Sequence, residues 1–179
     1  MTQCACGDAR AMDALVSRYH GKVLDFAFRH LRDREASADI AQLTLIRVFE
    51  SAGSYRLRAS FKSWLYTIAL NIIRDECRRR GARKESVASD LEVVEDLVSV
   101  EVESAEDAAL DRMAADELWE SLDRIPENWR SAIILKFRQG LTYEEIADVM
   151  GVPSGTVKSW VHFALKALRE RLQPVEYGG

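Results

Sequence analysis

One stretch, residues 61–80, combines an apolar face with polar and cationic side chains that could bind a polyanion. The polar face has helical spacing and consists of Thr67, Asn71, Arg74 and Arg78. The stretch ends in three consecutive arginines, and Gly81 follows as the expected C-terminal cap. Guanidinium groups on a rigid helix bind the phosphates of nucleic acid. Basic residues at a helix end also stabilise the helix dipole, so this pattern alone indicates a cap more often than a binding site.

The loop before this stretch, residues 53–60, mixes an aromatic residue with cations. Tyr55 lies beside Arg56 and Arg58. An aromatic ring can stack on an unpaired base while cations hold the backbone. The loop is a weak signal by itself, but it leads directly into the helix that begins at Phe61. Loop and helix together could therefore form one surface for single-stranded nucleic acid.

A helix-turn-helix pattern occupies residues 142–172. Thr142 and Glu145 predict a capping box, and Gly151 predicts a left-handed turn before a helix that begins at Ser154. The side chains near or in a major groove would be Ser154, Thr156, Lys158, Ser159, Trp160, His162, Phe163 and Lys166. The side chains that hold this helix to its domain would be Val157, Val161, Ala164, Leu165 and Leu168. On these residues alone, a chance helical hairpin is the alternative.

Helical periodicity predicts the elements that position these surfaces. Residues 8–31 form a first helix, and a second runs from about Ser37, its expected N-cap, to Ala52. The helix of residues 61–80 buries a stripe made of Phe61, Trp64, Leu65, Ile68, Ala69, Ile72 and Ile73. After Met113 the helical period returns and leads into the helix-turn-helix.

The second helix carries an additional mixed surface. Leu43 and Ile46 lie on a different side from its buried stripe, beside Asp39, Gln42 and Arg47. Such a patch suits the helix of a partner protein. The alternative is that the two apolar side chains pack on a neighbouring helix of the same bundle, and the sequence leaves both possibilities open.

Composition and charge divide the chain of 179 residues into blocks. Residues 1–84 hold 16 Lys and Arg against 9 Asp and Glu, whereas residues 85–112 hold 1 against 10. With three prolines and nine glycines, the chain favours helix over sheet. We predict an all-α protein with two small helical domains, 1–84 and 113–174, joined by an acidic flexible linker, 85–112, and ending in a tail, 175–179. The linker is either a passive spacer or a mimic of nucleic acid in a basic channel.

Several features limit the possible classes of protein. Cys4, Cys6 and Cys77 form no CxxC pair, and we expect reduced thiols. No apolar run approaches the ~18 residues of a membrane span, and the N-terminus lacks a signal core, so we expect a cytoplasmic protein without membrane insertion. No phosphate-binding loop, zinc-ligand spacing or nucleophile elbow is present in the sequence, and we expect no enzyme activity, cofactor or metal.

Four segments, in this order, resemble the extracytoplasmic-function (ECF) sigma factors, compact bacterial proteins with only a sigma-2 and a sigma-4 domain. The segments are ADIAQLTLIRVFESAGSYR, FKSWLYTIALNIIRDECRRR, RIPENWRSAIILKFRQGLTYEEIADVMGVPSGTVKS and the acidic joint between the halves. The resemblance covers nearly all of residues 7–172. It implies a subunit that binds core RNA polymerase and directs promoter recognition, DNA melting and transcription initiation, with its linker in the RNA exit path.

The resemblance also implies roles for individual residues. Core polymerase would be bound through its β′ clamp helices by Asp39, Gln42, Leu43 and Arg47. The −10 element would be held by Arg56, Arg58, Ser60, Lys62, Trp64, Asn71, Arg74, Arg78 and Arg79. The −35 duplex would be read by the helix that begins at Ser154, where the positions matching the family are Lys158, Ser159, His162 and Phe163. The other implied partners are the polymerase β flap and an anti-sigma factor.

The sequence departs from the family on the −35 helix. Trp160, Phe163 and Leu165 stand where the family usually has arginines. On the helix of residues 61–80, Thr67 and Leu70 stand where basic residues are frequent in the family. Because Arg is the strongest reader of guanine, we expect weaker salt-dependent anchoring and more apolar contact with thymine methyl groups. Alternatively, the two aromatic residues bind a partner such as an anti-sigma factor.

Two other functions remain as alternatives. A stand-alone helix-turn-helix regulator would need to dimerise and would leave the acidic linker and the Tyr55 loop unexplained. A nucleic-acid-processing enzyme could use Asp39, Asp75 and Glu76 as metal ligands. Because Asp75 and Glu76 are adjacent on a helix, their side chains project in different directions, which disfavours a shared metal.

Overall fold

The computed structural model describes residues 9–55, 60–84 and 122–172, which form helices and turns without a strand. The helices are α1 (Ala9–Leu31), α2 (Arg34–Glu50), α3 (Phe61–Lys84), α4 (Glu127–Ile133), α5 (Tyr143–Met150) and α6 (Ser154–Leu172). Short 3₁₀ turns occupy Ala52–Ser54 and Leu122–Arg124, and a π turn, Ile134–Arg138, continues α4. The helices pack into two compact units, α1–α3 in one and most of residues 122–172 in the other. The prediction of an all-α fold with two small helical parts is confirmed.

The first unit is a three-helix bundle in which α1, α2 and α3 all contact one another. The buried apolar side chains are Val23, Phe26, Ala27, Ile40, Ala41, Leu45, Val48, Ala52, Leu65, Tyr66, Ala69, Leu70, Ile72 and Ile73. The stripe predicted for α3 is only partly right, because Phe61, Trp64 and Ile68 are half-buried while Tyr66 and Leu70 are completely buried. Since α3 packs against two helices, it buries a wider arc than one stripe.

The junction between α1 and α2 differs from the sequence prediction. The N-cap of α2 is Asp33, whose carboxylate accepts a hydrogen bond of 3.1 Å from the Ala36 N–H. Ser37 is buried inside the helix, and its hydroxyl donates to the Asp33 carbonyl. Arg32 follows α1 with a φ of 52°, which is a left-handed conformation. A Gly or Asn at this position would have predicted that conformation from the sequence. The prediction that Ser37 caps α2 is therefore wrong.

The end of α3 also differs from the prediction. Gly81 lies inside the helix, which continues to Lys84, so it does not cap the helix at Arg80. A Cβ at Gly81 would meet no atom within 4 Å. Glycine is tolerated here because neighbouring helical residues keep the backbone α-helical, at the entropic cost that glycine carries in a helix.

Each element within residues 122–172 buries apolar residues. They are Leu122, Ile125, Ala132, Ile133, Ile134, Leu135, Leu141, Ile146, Val149, Met150, Val157, Val161, Ala164, Leu165 and Leu168. All five α6 residues predicted to hold this helix to its domain are among them. The π turn directly before α5 is closed by a hydrogen bond of 3.1 Å from Gln139 N–H to the Ile134 carbonyl. Gly140 then takes a φ of 67°, which glycine adopts at little cost.

The predicted helix-turn-helix is present. The Thr142 hydroxyl accepts from Glu145 N–H at 3.2 Å, while the Glu145 carboxylate accepts from Thr142 N–H at 2.9 Å, which completes the capping box. Gly151 is left-handed, with a φ of 69°. Its N–H and that of Val152 both donate to the Ala147 carbonyl, at 2.8 and 3.2 Å. These bonds end α5 sharply and allow α6 to begin three residues later.

The parts of the sequence that fall outside the described residues include several predicted features. They are Cys4, Cys6, Arg56, Arg58, Met113, the acidic linker 85–112 and the tail 175–179.

Candidate nucleic-acid interface

The outward face of α2 carries both apolar and charged side chains. Leu43 and Ile46 are 38% and 51% exposed, and they are the large apolar residues that the described part of the chain leaves exposed. Asp39, Gln42 and Arg47 lie beside them at helical spacing and are also exposed. The alternative that Leu43 and Ile46 pack inside their own bundle is therefore wrong. The opposite face of α2 is fixed by burial, so this patch has a defined orientation on a rigid helix.

The beginning of α3 is held by local hydrogen bonds. The Ser60 hydroxyl accepts a hydrogen bond of 3.1 Å from Ser63 N–H and lies 3.0 Å from the Ser63 hydroxyl. Ser63 is buried, whereas Ser60 is exposed. The next turn is tied in the same way, because the Thr67 hydroxyl donates to the Ser63 carbonyl at 2.8 Å. The donor of the Thr67 hydroxyl is therefore already used within its own helix.

Four aromatic rings meet at this end of the first unit, and we call Tyr19, Tyr55, Phe61 and Trp64 the aromatic cluster. The Phe61 ring lies 5.1 Å from that of Tyr19 in an edge-to-face arrangement, and the Tyr55 ring lies 5.0 Å from that of Trp64. Phe61 also lies 6.3 Å from Tyr55 and 6.1 Å from Trp64. All four side chains are half-buried. The cluster therefore joins α1, the 3₁₀ turn and α3 while leaving part of each ring accessible.

The −10 residues predicted on α3 lie along one rigid helix. Asn71 is exposed, and Lys62 and Arg74 are half-buried. Arg78 and Arg79 are both exposed, and their guanidinium groups pair with Asp75 and Glu76 one turn earlier. Exposed ion pairs contribute little to stability, so either arginine can exchange its carboxylate for a phosphate. The structure thus keeps these α3 side chains accessible, while Trp64 belongs to the aromatic cluster.

Arg80 has a different position from the two arginines before it. Its guanidinium donates to Glu76 at 2.7 Å and to Asp33, the N-cap of α2, at 2.8 Å. A contact across 47 positions has no local signal in the sequence, so no separate role of Arg80 was predicted. Arg80 therefore connects the end of α3 to the beginning of α2.

These contacts shift the pKa values of the acidic partners. The hydrogen bond from Ala36 N–H, followed by that from Arg80, lowers the pKa of Asp33 below its ordinary 3.8. Arg80 likewise lowers the pKa of Glu76 below 4.5. Both carboxylates are thus held in the charged form that the arginine binds. In the core of the same unit, burial raises the pKa of the Tyr66 hydroxyl above its usual range.

The outward face of α6 holds most of the predicted −35 residues. Lys158 and Lys166 are exposed, while the other members are half-buried: Ser154, Thr156, Ser159, Trp160, His162 and Phe163. The Ser159 hydroxyl donates to the Gly155 carbonyl at 3.1 Å and can still accept a hydrogen bond. Leu165 is only 4% exposed, so it cannot take the place of a DNA-contacting arginine on the surface.

Aromatic contacts constrain one flank of α6. The Phe163 ring stacks on Trp129 of α4, with centroids 5.4 Å apart and planes 25° apart. Because one face of Phe163 is covered, only the rest of its ring can meet DNA. His162 lies edge-on to Phe163 at 5.7 Å. The stack of Phe163 on Trp129 was not predicted from the sequence, since it joins residues of two separate helices.

Two cations that neighbour one tyrosine enlarge the basic surface of the second unit. The Lys136 ammonium lies 4.2 Å from the centre of the Tyr143 ring, and that of Lys158 lies 5.7 Å from it. Lys136, in the π turn, and Tyr143, at the first position of α5, were absent from the predicted site. The arrangement places a lysine from outside α6 close to the predicted −35 face.

The metal-dependent alternative gains no support from the described residues. Within residues 9–55, 60–84 and 122–172, His, Cys, Asp and Glu form no group of three that could hold a metal ion. Asp75 and Glu76 instead pair with arginines. None of the helices in these ranges has the length and apolar character needed to cross a membrane.

Comparison with known proteins places both units in one family. A family model described as sigma-70 region 2 matches residues 15–83, and one described as sigma-70, region 4 matches residues 115–168. The RNA polymerase sigma-H factor of Pseudomonas aeruginosa is 35% identical over 173 residues, covering 94% of this chain and 90% of the relative. The ECF RNA polymerase sigma-E factor of Haemophilus influenzae is 31% identical, covering 94% of this chain and 91% of the relative.

Solved structures show a similar fold. The sigma factor RpoE of Bartonella quintana, in complex with the anti-sigma factor NepR, has a TM-score of 0.70 at 21% identity and covers 93% of this chain and 100% of its own. CnrH, in complex with the cytosolic domain of CnrY, has a TM-score of 0.67 at 24% identity and covers 96% of this chain and 93% of its own. At these identities the likeness supports the fold alone, whereas the sequence relatives cover nearly the whole chain. The chain therefore belongs to the ECF family of RNA polymerase sigma factors.

Proposed function

We propose that this protein is an alternative sigma factor that binds core RNA polymerase and directs promoter recognition, DNA melting and transcription initiation. The observation that carries the proposal is the 35% identity with a sigma factor over nearly the full length of both chains. We propose domain boundaries of 1–84 and 113–174, with the acidic segment 85–112 between them. The protein would have no catalytic activity of its own and would act in the cytoplasm, where the polymerase is located.

The exposed face of α2 is the proposed docking surface for the β′ clamp helices. Leu43 and Ile46 supply apolar area, while Asp39, Gln42 and Arg47 supply the polar rim that fixes orientation. A helix with its other face buried can offer such a surface without rearranging. The β flap would contact the second unit, and an anti-sigma factor is a further proposed partner, as in the complex of RpoE with NepR.

The exposed side of α3 is the proposed site for the single-stranded −10 element. Its accessible members are Ser60, Lys62, Trp64, Asn71, Arg74, Arg78 and Arg79, and the proposal also includes Arg56 and Arg58. Asn71 presents an amide that can donate to and accept from the edge of an unpaired base. The arginines lie one to two turns further along the helix, where they can hold the backbone of the same strand.

The outward face of α6 is the proposed −35 reader. Lys158 and Lys166 supply phosphate contacts, and Ser154, Thr156, Ser159, Trp160, His162 and Phe163 lie at the groove. Among these −35 residues the cations are two lysines with no arginine, so we expect a weaker salt dependence than an arginine-bearing helix would give. The capping box at Thr142 and the left-handed Gly151 set the angle at which α6 is presented.

Run-off transcription with core polymerase is the test of this proposal. The full chain, core enzyme and upstream genomic fragments, including the fragment upstream of its own gene, should give defined starts that neither protein gives alone. Failure on every fragment, with a known sigma factor active in parallel, would contradict the proposal.

The role proposed for α3 has a separate test. Asn71→Ala should impair opening more than closed-complex binding, whereas Lys166→Ala, the matched control on the other unit, should mainly weaken closed-complex binding. Permanganate reactivity of thymines reports the opening, and gel shift at low temperature reports the closed complex. Unchanged thymine reactivity in the Asn71 variant would refute the assignment.

A further inference from the structure

We propose that α1, which none of the residue assignments above includes, supplies part of the single-strand surface: Lys22 as a contact to the DNA backbone and Tyr19 as the positioning residue for Phe61. The inference rests on the proposed function, because it extends the −10 surface from α3 onto a second helix. It stands on the contacts of the aromatic cluster with α1.

Exposure separates the aromatic cluster from the aromatic residues of the core. Phe26 and Tyr66 also contact each other edge-to-face, at 5.2 Å, but both are almost completely buried. The members of the aromatic cluster are all half-buried although they contact one another just as closely. Rings that only stabilise a core would gain from full burial. Rings that are held by their neighbours and remain partly exposed can form a rigid platform on which a base stacks.

Tyr19 holds this platform from α1. Its ring is the α1 member of the cluster and lies 5.1 Å from Phe61, the first residue of α3. Phe61 lies in turn near Tyr55 and Trp64. Removing the Tyr19 ring would therefore free Phe61 on the side that α1 now limits.

Lys22 brings a positive charge to the same place. It is exposed, one turn beyond Tyr19, and its ammonium lies 5.7 Å from the centre of the Tyr19 ring. Lys62 of α3, half-buried, follows Phe61 directly. Two cations from two helices beside a set of half-buried aromatic residues match the two parts of a single-stranded chain, its phosphates and its bases. This chemistry favours an unpaired strand over a protein partner.

The charge of Lys22 is tested by the salt dependence of DNA binding. Holoenzyme made with the Lys22→Ala chain is titrated with a promoter fragment carrying a pre-opened bubble, at several salt concentrations. If Lys22 contacts a phosphate of the single strand, the slope of log K against log salt should fall by about 0.7. Arg10→Ala, which removes an exposed cation at the beginning of the same helix, should leave the slope unchanged. An unchanged slope in the Lys22 variant would overturn its assignment.

The positioning role of Tyr19 is tested by conservative rescue. Tyr19→Leu should weaken binding of the bubble template by about five- to tenfold, since stacking on a displaced platform is lost. Tyr19→Phe keeps the ring and should bind like the parent chain. Binding of core polymerase should stay unchanged in both variants, which excludes a general loss of structure. If the Tyr19→Leu and Tyr19→Phe variants bind the bubble template with equal affinity, the proposal is overturned.

The proposed function and the role of α1 are refuted by different results. If the unmodified chain gives no transcription start with core polymerase, the proposed function fails before any variant is made. If it does initiate, but the variants at Lys22 and Tyr19 bind the bubble like the parent chain, only the role of α1 is refuted.

Discussion

Replacing Leu43 and Ile46 together by alanine should weaken core polymerase binding without weakening the fold. Full burial of a Leu or Ile side chain is worth about 1.5–3 kcal/mol. The two side chains are 38% and 51% exposed, so that fraction of each is still available to a partner. Scaling the full value by these fractions gives about 1.3–2.7 kcal/mol for the pair. The dissociation constant should therefore rise by about 9- to 90-fold.

The stability of the variant should remain close to that of the parent chain. Exposed substitutions usually change the free energy of unfolding by less than ~0.5 kcal/mol, and alanine is at least as good a helix former as Leu or Ile. The assay is anisotropy of the fluorescently labelled chain titrated with core polymerase, accompanied by thermal unfolding. Lys166→Ala, on α6, serves as a control that should bind normally. A folded double variant whose affinity lies within twofold of the parent chain would refute this account of the α2 surface.

Three further predictions concern stability. Gly81→Ala should raise the free energy of unfolding by up to about 1 kcal/mol, because the added Cβ meets open space inside a helix; a lower denaturation midpoint would contradict this. Thr142→Ala should cost about 1 kcal/mol by removing the capping box, as measured by urea unfolding, and an unchanged midpoint would count against it. Since the pKa values of Asp33 and Glu76 are lowered in the folded chain, their stabilising contribution is present above about pH 4.5 and should be lost as the pH falls through and below 4.5 and 3.8. Asp33→Asn should flatten this dependence of the free energy of unfolding on pH. An equally steep curve would exclude the Asp33 carboxylate as its source.

Features encoded by near neighbours in the sequence were predictable. The capping box of Thr142 and the left-handed Gly151 depend on residue types within a few positions, and the structure has both. The inward face of α6 follows from helical period alone. The end of the first helix at Leu31 was predicted, but the positive φ of Arg32 was not, because this residue is neither Gly nor Asn. Ser37 has the residue type of a cap but occupies a buried position one turn inside the helix.

Features created by packing between distant segments were not predictable. Tyr66 and Leu70 are buried because α3 contacts two helices, which one sequence period cannot reveal. The stack of Phe163 on Trp129 and the contact of Tyr19 with Phe61 each join residues more than 30 positions apart. Residue type predicted a nucleic-acid surface on α3, whereas its proposed extension to α1 depends on the contact of Tyr19 with Phe61.

The contacts of Arg80 have a mechanical consequence for the first unit. Its guanidinium fastens the tail end of α3 to the leading end of α2, on the surface and apart from the apolar core. Because this ion pair lies on the surface, it can break and form again without exposing the apolar side chains of the bundle. Under the proposed function, a strand bound along α3 would therefore meet a helix end that can move without unpacking the core.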